Sequence, residues 1–340
     1  MNDTARWIDV PGAPAIERLR FRAYGGDGDI AGMAEVIRAA NLANHESEYV
    51  SDDYLRSQVL NFSHFPPQQA RLLALVDERI VACSVFEQED TTAGVRNYSS
   101  YGHVHPEWRR RGLGSAMARW NEARLLEIAS EQRHPGGAAL TTWIEEADVG
   151  GTAIAVSLGY TRTRVGYHMV RPDLEDIDVP PLPRGLVVRR VGPDDLSRVW
   201  DAMIEAFRDH HGGHDGSEAA FKRWTDDPVF DIELLIVAFA RDEVAGGVQG
   251  WVDPDENAAN GYRRGWTDPV FTRRPWRRMG LAHALLGQAL AAIRARGMTS
   301  AQLGVDAENP YQALTLYERH RFATVRTGSE WTRAIDPEAR

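Results

Sequence analysis

The sequence predicts an α/β fold built twice, and three observations carry that expectation. At 340 residues the chain has room for about two domains. A stretch that reads as strand, basic turn, glycine and helix occurs at 104–114 and again at 270–282. A strand hairpin precedes each copy at a nearly constant distance, with Ile80 opposite Val244, 164 positions on (244 − 80). Strands packed around a strand–loop–helix unit give an α/β domain in each half.

Taken in order, residues 1–20 carry little pattern, and 21–24 reads as a first strand. Asp29 stands where a helix N-cap is expected, ahead of Ile30, Met33 and Ile37 on one face. A second helix is expected near 52–60. Residues 72–76 and 80–86 read as a hairpin about Asp77-Glu78-Arg79. A strand at 98–104 feeds the first basic turn. The helix beyond it runs to about Ala129, and His134-Pro135-Gly136-Gly137 breaks the pattern. Strand 140–144, helix 150–157 and a closing strand at 167–170 complete the half. Residues 173–185 read as a linker, acidic and then Pro180-Pro181-Leu182-Pro183, which favours an extended spacer. Domains at 1–178 and 184–340 follow from it. The second half repeats the order: strand 186–190, a helix marked by Leu196, Val199, Met203 and Phe207, and a hairpin of 234–239 with 244–248 about Arg241-Asp242-Glu243.

Apolar content of 43% is enough for a core in each half. The net charge of −10 argues against a nucleic-acid or anionic-membrane partner and suits a cationic acceptor. Cys83 is the single cysteine, so no intrachain disulfide can form, and a reducing compartment is expected. It lies in an apolar run and reads as a small core residue. No signal pattern or membrane-length apolar run is seen, so a cytoplasmic protein is expected.

The two basic turns share one layout. Val270-Phe271-Thr272-Arg273-Arg274-Pro275-Trp276-Arg277-Arg278-Met279-Gly280-Leu281-Ala282 answers Val104-His105-Pro106-Glu107-Trp108-Arg109-Arg110-Arg111-Gly112-Leu113-Gly114. Trp108 stands opposite Trp276, Arg109 opposite Arg277 and Gly112 opposite Gly280, each 168 apart (276 − 108, 277 − 109, 280 − 112). First-turn N–H groups of a helix lack internal partners and face the positive end of the dipole, which suits a phosphate. A glycine there lets the anion reach the backbone. A solvated basic turn is the competing reading of the arginines.

Both turns fit Arg-x-x-Gly-x-Gly/Ala, which resembles the acyl-CoA pyrophosphate loop of the GNAT N-acetyltransferase superfamily. The whole chain resembles a tandem GNAT protein of the actinobacterial, mycothiol-synthase-like kind. The resemblance implies two domains, each a mixed, mostly antiparallel sheet flanked by helices, with acetyl-CoA as acyl donor. It implies cofactor contacts from Val270, Phe271, Thr272, Arg277, Arg278, Met279, Gly280, Leu281 and Ala282. In the first copy it implies them from Val104, Arg109, Arg110, Arg111, Gly112, Leu113, Gly114 and Ser115.

Beyond the loops the halves diverge. The second has Asn309-Pro310, then Ala313, Leu314, Leu316, Tyr317 and Phe322. By the resemblance, Asn309 holds the pantetheine arm and Tyr317 protonates the departing thiolate. The chemistry needs such an acid, because the leaving thiol has a pKa of about 8.5 by analogy with cysteine. Tyr317 as a packed helix residue is the competing reading. With Tyr160 opposite Phe322 (322 − 160 = 162), Ala155 stands opposite Tyr317 and Ala147 opposite Asn309. The thioester oxygen needs a backbone donor, which Val270 or Phe271 could supply. A base must take the ammonium proton, and Asp268 is the acid on the strand before the second loop. Trp266 stands where the resemblance leads one to expect a glutamate. Asp268, two residues on, shares its strand face. An Asp-Pro turn ending the strand is the alternative.

His210, His211 and His214 flank a Gly pair beside Asp215. They read as a flexible loop that contacts substrate; a metal site is not expected. The acidic run 253–256 reads as a solvated hairpin tip. The expected activity is transfer of acetyl from acetyl-CoA to a primary amine of a small molecule in the second domain. The first domain is expected to be a degenerate copy that can still hold CoA. An acyl-CoA-binding regulatory or structural protein, or a transferase for a longer acyl-CoA, are the alternatives. The oligomeric state is not legible.

Overall fold

A computed structural model describes residues 7–61, 64–91, 94–208, 216–308 and 313–336. The chain divides into two units, Met1–Thr163 with Ser329–Arg340, and Arg164–Gly328. The expected division at the 173–185 linker is therefore displaced. Two causes are visible. The strand expected to close the first half runs on into the second unit, and the linker is packed rather than free. Arg171, only 1% exposed, donates to the carbonyls of Asp173, Asp176 and His320. Leu174 lies in the second unit's core.

The first unit holds β1 (Trp7–Ile8), β2 (Leu19–Ala23), α1 (Ile30–Ala43), α2 (Asp52–Asn61), α3 (Pro67–Ala70), β3 (Arg71–Val76), β4 (Arg79–Asp90), β5 (Arg96–Val104), α4 (Leu113–Gln132), β6 (Ala138–Glu145), α5 (Val149–Ser157) and the start of β7 (Thr161–Arg171). Its sheet runs β1-β2-β3-β4-β5-β6, then a stretch of the last strand, then the start of β7. All pairs given by register are antiparallel except β5 with β6. Helices α1 and α2 cover one face, where Ile30, Met33, Val36, Leu55 and Val59 meet Leu73, Leu75 and Cys83. Helix α4 covers the other, with Leu113, Ala116 and Met117 against Phe21, Leu72 and Ala74. Cys83 is a buried core residue, and burial pushes its thiol up to about 12.

The second unit holds the rest of β7, β8 (Val187–Val188), α6 (Leu196–Phe207), α7 (Glu218–Thr225), β9 (Leu235–Ala240), β10 (Glu243–Trp251), α8 (Pro254–Asn260), β11 (Arg264–Thr272), α9 (Leu281–Ala295), β12 (Ser300–Asp306) and α10 (Ala313–Arg319). The final strand β13 (Ala323–Ala334) begins in this unit, and its residues from Ser329 on belong to the first. The order β7-β12-β11-β10-β9-β8 is antiparallel throughout except β11 with β12. Helix α6 packs Val199, Met203 and Phe207 on Val237, Phe239 and Phe271. Helix α9 packs Leu285, Leu286, Leu290 and Ile293 on Val248, Ala301 and Leu303. Each unit is thus a mixed, mostly antiparallel sheet between helices.

Two local expectations are revised. Asp29 stands at the N-terminus of α1, but its side chain caps no helix N–H. It accepts from Arg22 and from the Gly25 N–H, and Asp195 repeats this with Arg189 and Gly192. The run 253–256 is not a solvated tip. Asp253 caps α8 through the N–H groups of Asp255 and Glu256, and Glu256 is 4% exposed.

Candidate active site

The two parallel strand pairs stop short in both units, and that opens a gap beside the basic loop. In the second unit β11 pairs β12 only from Arg264↔Ser300 to Trp266↔Gln302, while β12 goes on pairing β7 as far as Asp306. In the first unit the β5–β6 pairs end at Ser99↔Thr141. Beyond those points the inner strand has a free side, next to the start of α9 or α4.

The loops close in the same way. Arg110 and Arg278 have φ of 62° and 59°, and Gly112 and Gly280 have 86° and 84°. Left-handed residues that alternate with an ordinary one, Arg111 or Met279, turn neighbouring N–H groups to one side, a concave donor set for an anion. The first helix bonds run from Ala116 to Gly112 and from Ala284 to Gly280. The N–H groups of Leu281, Ala282 and His283, and of Leu113, Gly114 and Ser115, therefore have no partner inside their helices. The side chains of Leu113 and Leu281 point into the cores, each 1% exposed, so only their backbones face the loop. Arg110, Arg278 and Met279 are exposed. Arg111 lies over the Trp108 ring at 4.8 Å.

Arg109 and Arg277 depart from expectation. Arg277 donates to the carbonyls of Thr272 and Ala206, both at 3.0 Å. Arg109 likewise reaches the carbonyls of Val104 and Ala40 and the Asn44 side chain. These guanidinium groups cap the end of the first helix of each unit and tie the loop to it. Arg273 also turns inward, to Glu205 at 2.7 Å and the Val244 carbonyl at 3.0 Å. Val270 packs beside the α9 core, Phe271 is buried on the α6 face, and Thr272 is half-buried.

The strands differ where a base is expected. Along β10–β11, Val248 pairs Val270 but Gly250 pairs Thr267. One residue of β10, Gln249, thus faces two of β11, Asp268 and Pro269. This is a β-bulge, a device that re-aims a side chain. In the first unit β4 pairs β5 without interruption from Ala82↔Val104 to Asp90↔Arg96. Tyr101 alone fills the interval, so no residue there corresponds to Asp268.

The bulge turns Asp268 into the gap. Its Oδ2 lies 3.4 Å from where a Cβ on Gly304 of β12 would stand, and its carboxylate accepts from the Gly304 N–H. Burial pushes it up to about 6, against the pull of that N–H. A little of its surface stays open to solvent. Tyr317 of α10 is 7% exposed, and its ring meets Phe322 edge-on at 6.2 Å. Burial first, and then the Asp268 carboxylate, raise its phenol above the ordinary value. Asp268 and Tyr317 therefore sit within each other's field. Ala155, opposite Tyr317 in the first unit, is a buried core residue.

Trp266 is buried. It stacks on Trp251 at 4.6 Å and 5°, and His168 meets it edge-on at 5.3 Å. Its indole donates to Glu256 at 3.1 Å. Glu256 and Gln302 beside it were missed in the sequence, where one lies in an acidic run and the other in a plain strand. Asn309, His210, His211 and His214 lie outside the described residues. Among the described residues no three His, Cys, Asp or Glu side chains are grouped to hold a metal ion. Among them, too, no helix is long and apolar enough to cross a membrane.

Residues 197–322 match the acetyltransferase (GNAT) family. A mycothiol acetyltransferase of Salinispora tropica is 32% identical over 224 residues, 65% of this chain and 68% of its own. That of Salinispora arenicola is 29% identical over 299 residues, covering 87% and 90%. Among solved structures, a GCN5-related N-acetyltransferase from Sphaerobacter thermophilus superposes with a TM-score of 0.71 at 24% identity, over 95% of this chain and 97% of that one. A tandem GNAT protein from the clavulanic acid biosynthesis pathway gives 0.65 at 16%, over 94% and 99%. The chain belongs to the GNAT family and is an acyltransferase. Within that family it is similar, over most of its length, to the mycothiol acetyltransferases.

Proposed function

We propose that the protein transfers the acetyl group of acetyl-CoA to a primary amine of a small molecule, and that the second unit does the chemistry. The observation that carries the assignment is the bulge at Asp268–Pro269, which the first unit lacks. It is joined by Tyr317, whose counterpart is an alanine. The names of the mycothiol acetyltransferase relatives support a small-molecule acceptor and an acetyl donor.

The loop fits a pyrophosphate: left-handed Arg278 and Gly280, three N–H groups without helix partners, and an exposed arginine. Acetyl-CoA held there supplies the activated acyl group. The free side of β11 at Val270 and Phe271 is the source of a backbone donor for the thioester oxygen. Asp268 accepts the proton that the amine loses on attack. A carboxylate at about 6 is a stronger base than an ordinary one and is still ionised at neutral pH. Tyr317, with its phenol raised, keeps its proton until the leaving sulfur needs it.

The test is thiol release from acetyl-CoA over a panel of glucosamine, phenethylamine, cadaverine and lysine methyl ester. Release that depends on an amine, and is lost in Asp268→Asn and Tyr317→Phe, supports the reading. Binding of acetyl-CoA with no amine-dependent release over a wide panel favours a non-catalytic acyl-CoA-binding protein, and preference for a longer acyl-CoA revises the donor.

A further inference from the structure

We propose that Glu256 is a positioning residue for Asp268, acting through the stacked indoles of Trp266 and Trp251. The inference rests on the base role proposed for Asp268. Glu256 is nearly inaccessible, and a buried carboxylate is costly unless donors surround it. Three do: the Tyr262 hydroxyl at 2.5 Å, the Gln302 amide at 2.8 Å and the Trp266 indole at 3.1 Å. Those donors come from the turn after α8, from β12 and from β11. Gln302 in turn accepts from His168 of β7 at 3.1 Å. One carboxylate thus joins both walls of the gap into which Asp268 turns.

The path to Asp268 is short. Trp266, held by Glu256, lies flat on Trp251, with the planes 5° apart. The Trp251 indole donates to the Asp268 main-chain carbonyl at 3.2 Å. That carbonyl belongs to the bulge, where β11 has one residue more than its partner and the ladder is disrupted. A donor supplied from outside the ladder fixes the bulge, and through it the aim of the carboxylate. The first unit makes the comparison. At the facing pair that corresponds to Trp251↔Trp266 it has Glu87↔Ser99, and its strand has no bulge to hold. The two tryptophans occur where the bulge occurs.

Glu256→Gln leaves one of the three donors without an acceptor, and Trp251→Phe removes the last link while keeping a ring. Each is expected to lower kcat at least ten-fold with glucosamine, phenethylamine or cadaverine as probe amine. Acetyl-CoA KM should stay within two-fold. The acid limb of the pH–rate profile should move to lower pH, because a loosened bulge admits water to the carboxylate. The double variant should lose no more than the larger single loss, since both act on one path. Provided that Asp268→Asn is inactive, wild-type kcat and limb in either variant, or losses that multiply, would overturn the proposal. If Glu256→Gln does not fold, half-exposed Trp251→Phe carries the test by the same criteria. A ¹³C titration of the Asp268 carboxyl needs no turnover and separates the two ideas. A downward move in either variant supports positioning even where Asp268→Asn stays active and the base role fails, and an unmoved titration overturns it.

Discussion

Asp268→Asn should make the protein more stable at pH 8 while stopping its chemistry. The carboxyl is displaced from 3.8 to about 6 by burial. The folded state therefore holds this proton more tightly than the unfolded chain does. Stability linked to the group is fully present below pH 4 and is lost as pH rises through about 6. Two pH units at about 1.4 kcal/mol each give about 3 kcal/mol. The carboxyl keeps some solvent contact, so a gain of about 1–3 kcal/mol is expected for the asparagine variant, which stays neutral. In a unit of this size that corresponds to roughly 2–10 °C in Tm. Asparagine can still accept from the Gly304 N–H. Wild-type profiles alone will mislead, because His103 and His320 are pulled down to about 4 by burial and act the other way. Their stabilising effect is present above pH 6.5 and is lost as pH falls through about 4. The quantity to measure is the difference in unfolding free energy between variant and wild type from pH 4 to 8, followed by tryptophan fluorescence. It should be small at pH 4 and level off above pH 7. A difference that stays flat over that range would show an unperturbed carboxyl, and the base assignment would lose its footing.

Tyr317→Phe keeps the ring against Phe322 and should cost little stability, while kcat falls by ~10²–10⁴-fold. A near-normal rate would leave Tyr317 a core residue. Gly280→Val puts a β-branched side chain at φ 84°, where strain rather than contact is the obstacle, since a Cβ there meets nothing within 4 Å. Acetyl-CoA KM should rise at least ten-fold. The same change at Gly112 (φ 86°) should leave turnover largely intact, and a comparable loss of kcat there, with the fold intact, would refute the assignment of the chemistry to the second unit alone. Gly287→Ala would bring a Cβ within 2.3 Å of the Asp178 carbonyl, so about 1–3 kcal/mol should be lost as the packed linker is pushed off α9. An unchanged Tm would mean that the linker is not held there.

The parts legible in the sequence were those with local causes. Gly112 and Gly280 open helices from left-handed backbone, and the 168-residue spacing shows the loops to be copies. Asp268 stood out as the acid ahead of the second loop. The bulge that aims it was hidden, because it exists only as a slip between β10 and β11. Arg109 and Arg277 were assigned to phosphate because charge beside glycine suggests it, yet their acceptors at Ala40 and Ala206 lie about 70 residues away. Glu256 sits in an acidic run that reads as solvated, and its partner Gln302 is 46 positions on. The 167–170 strand was recognisable by composition, but nothing in its residues tells which sheet edge it will join.

That strand and the last one have a consequence for how the chain must be made. The first unit includes Ser329–Arg340, and the Ile335 N–H bonds the Ala138 carbonyl while Thr161 and Thr163 bond Thr332 and Glu330. During synthesis the β6 edge waits unpaired until more than 180 further residues have emerged. A gene cut at the proline-rich linker would deprive the first product of its closing segment and the second of the strand that pairs β12. The chain carries the left-handed loop twice, but the ribosome must finish both halves before the first unit is whole.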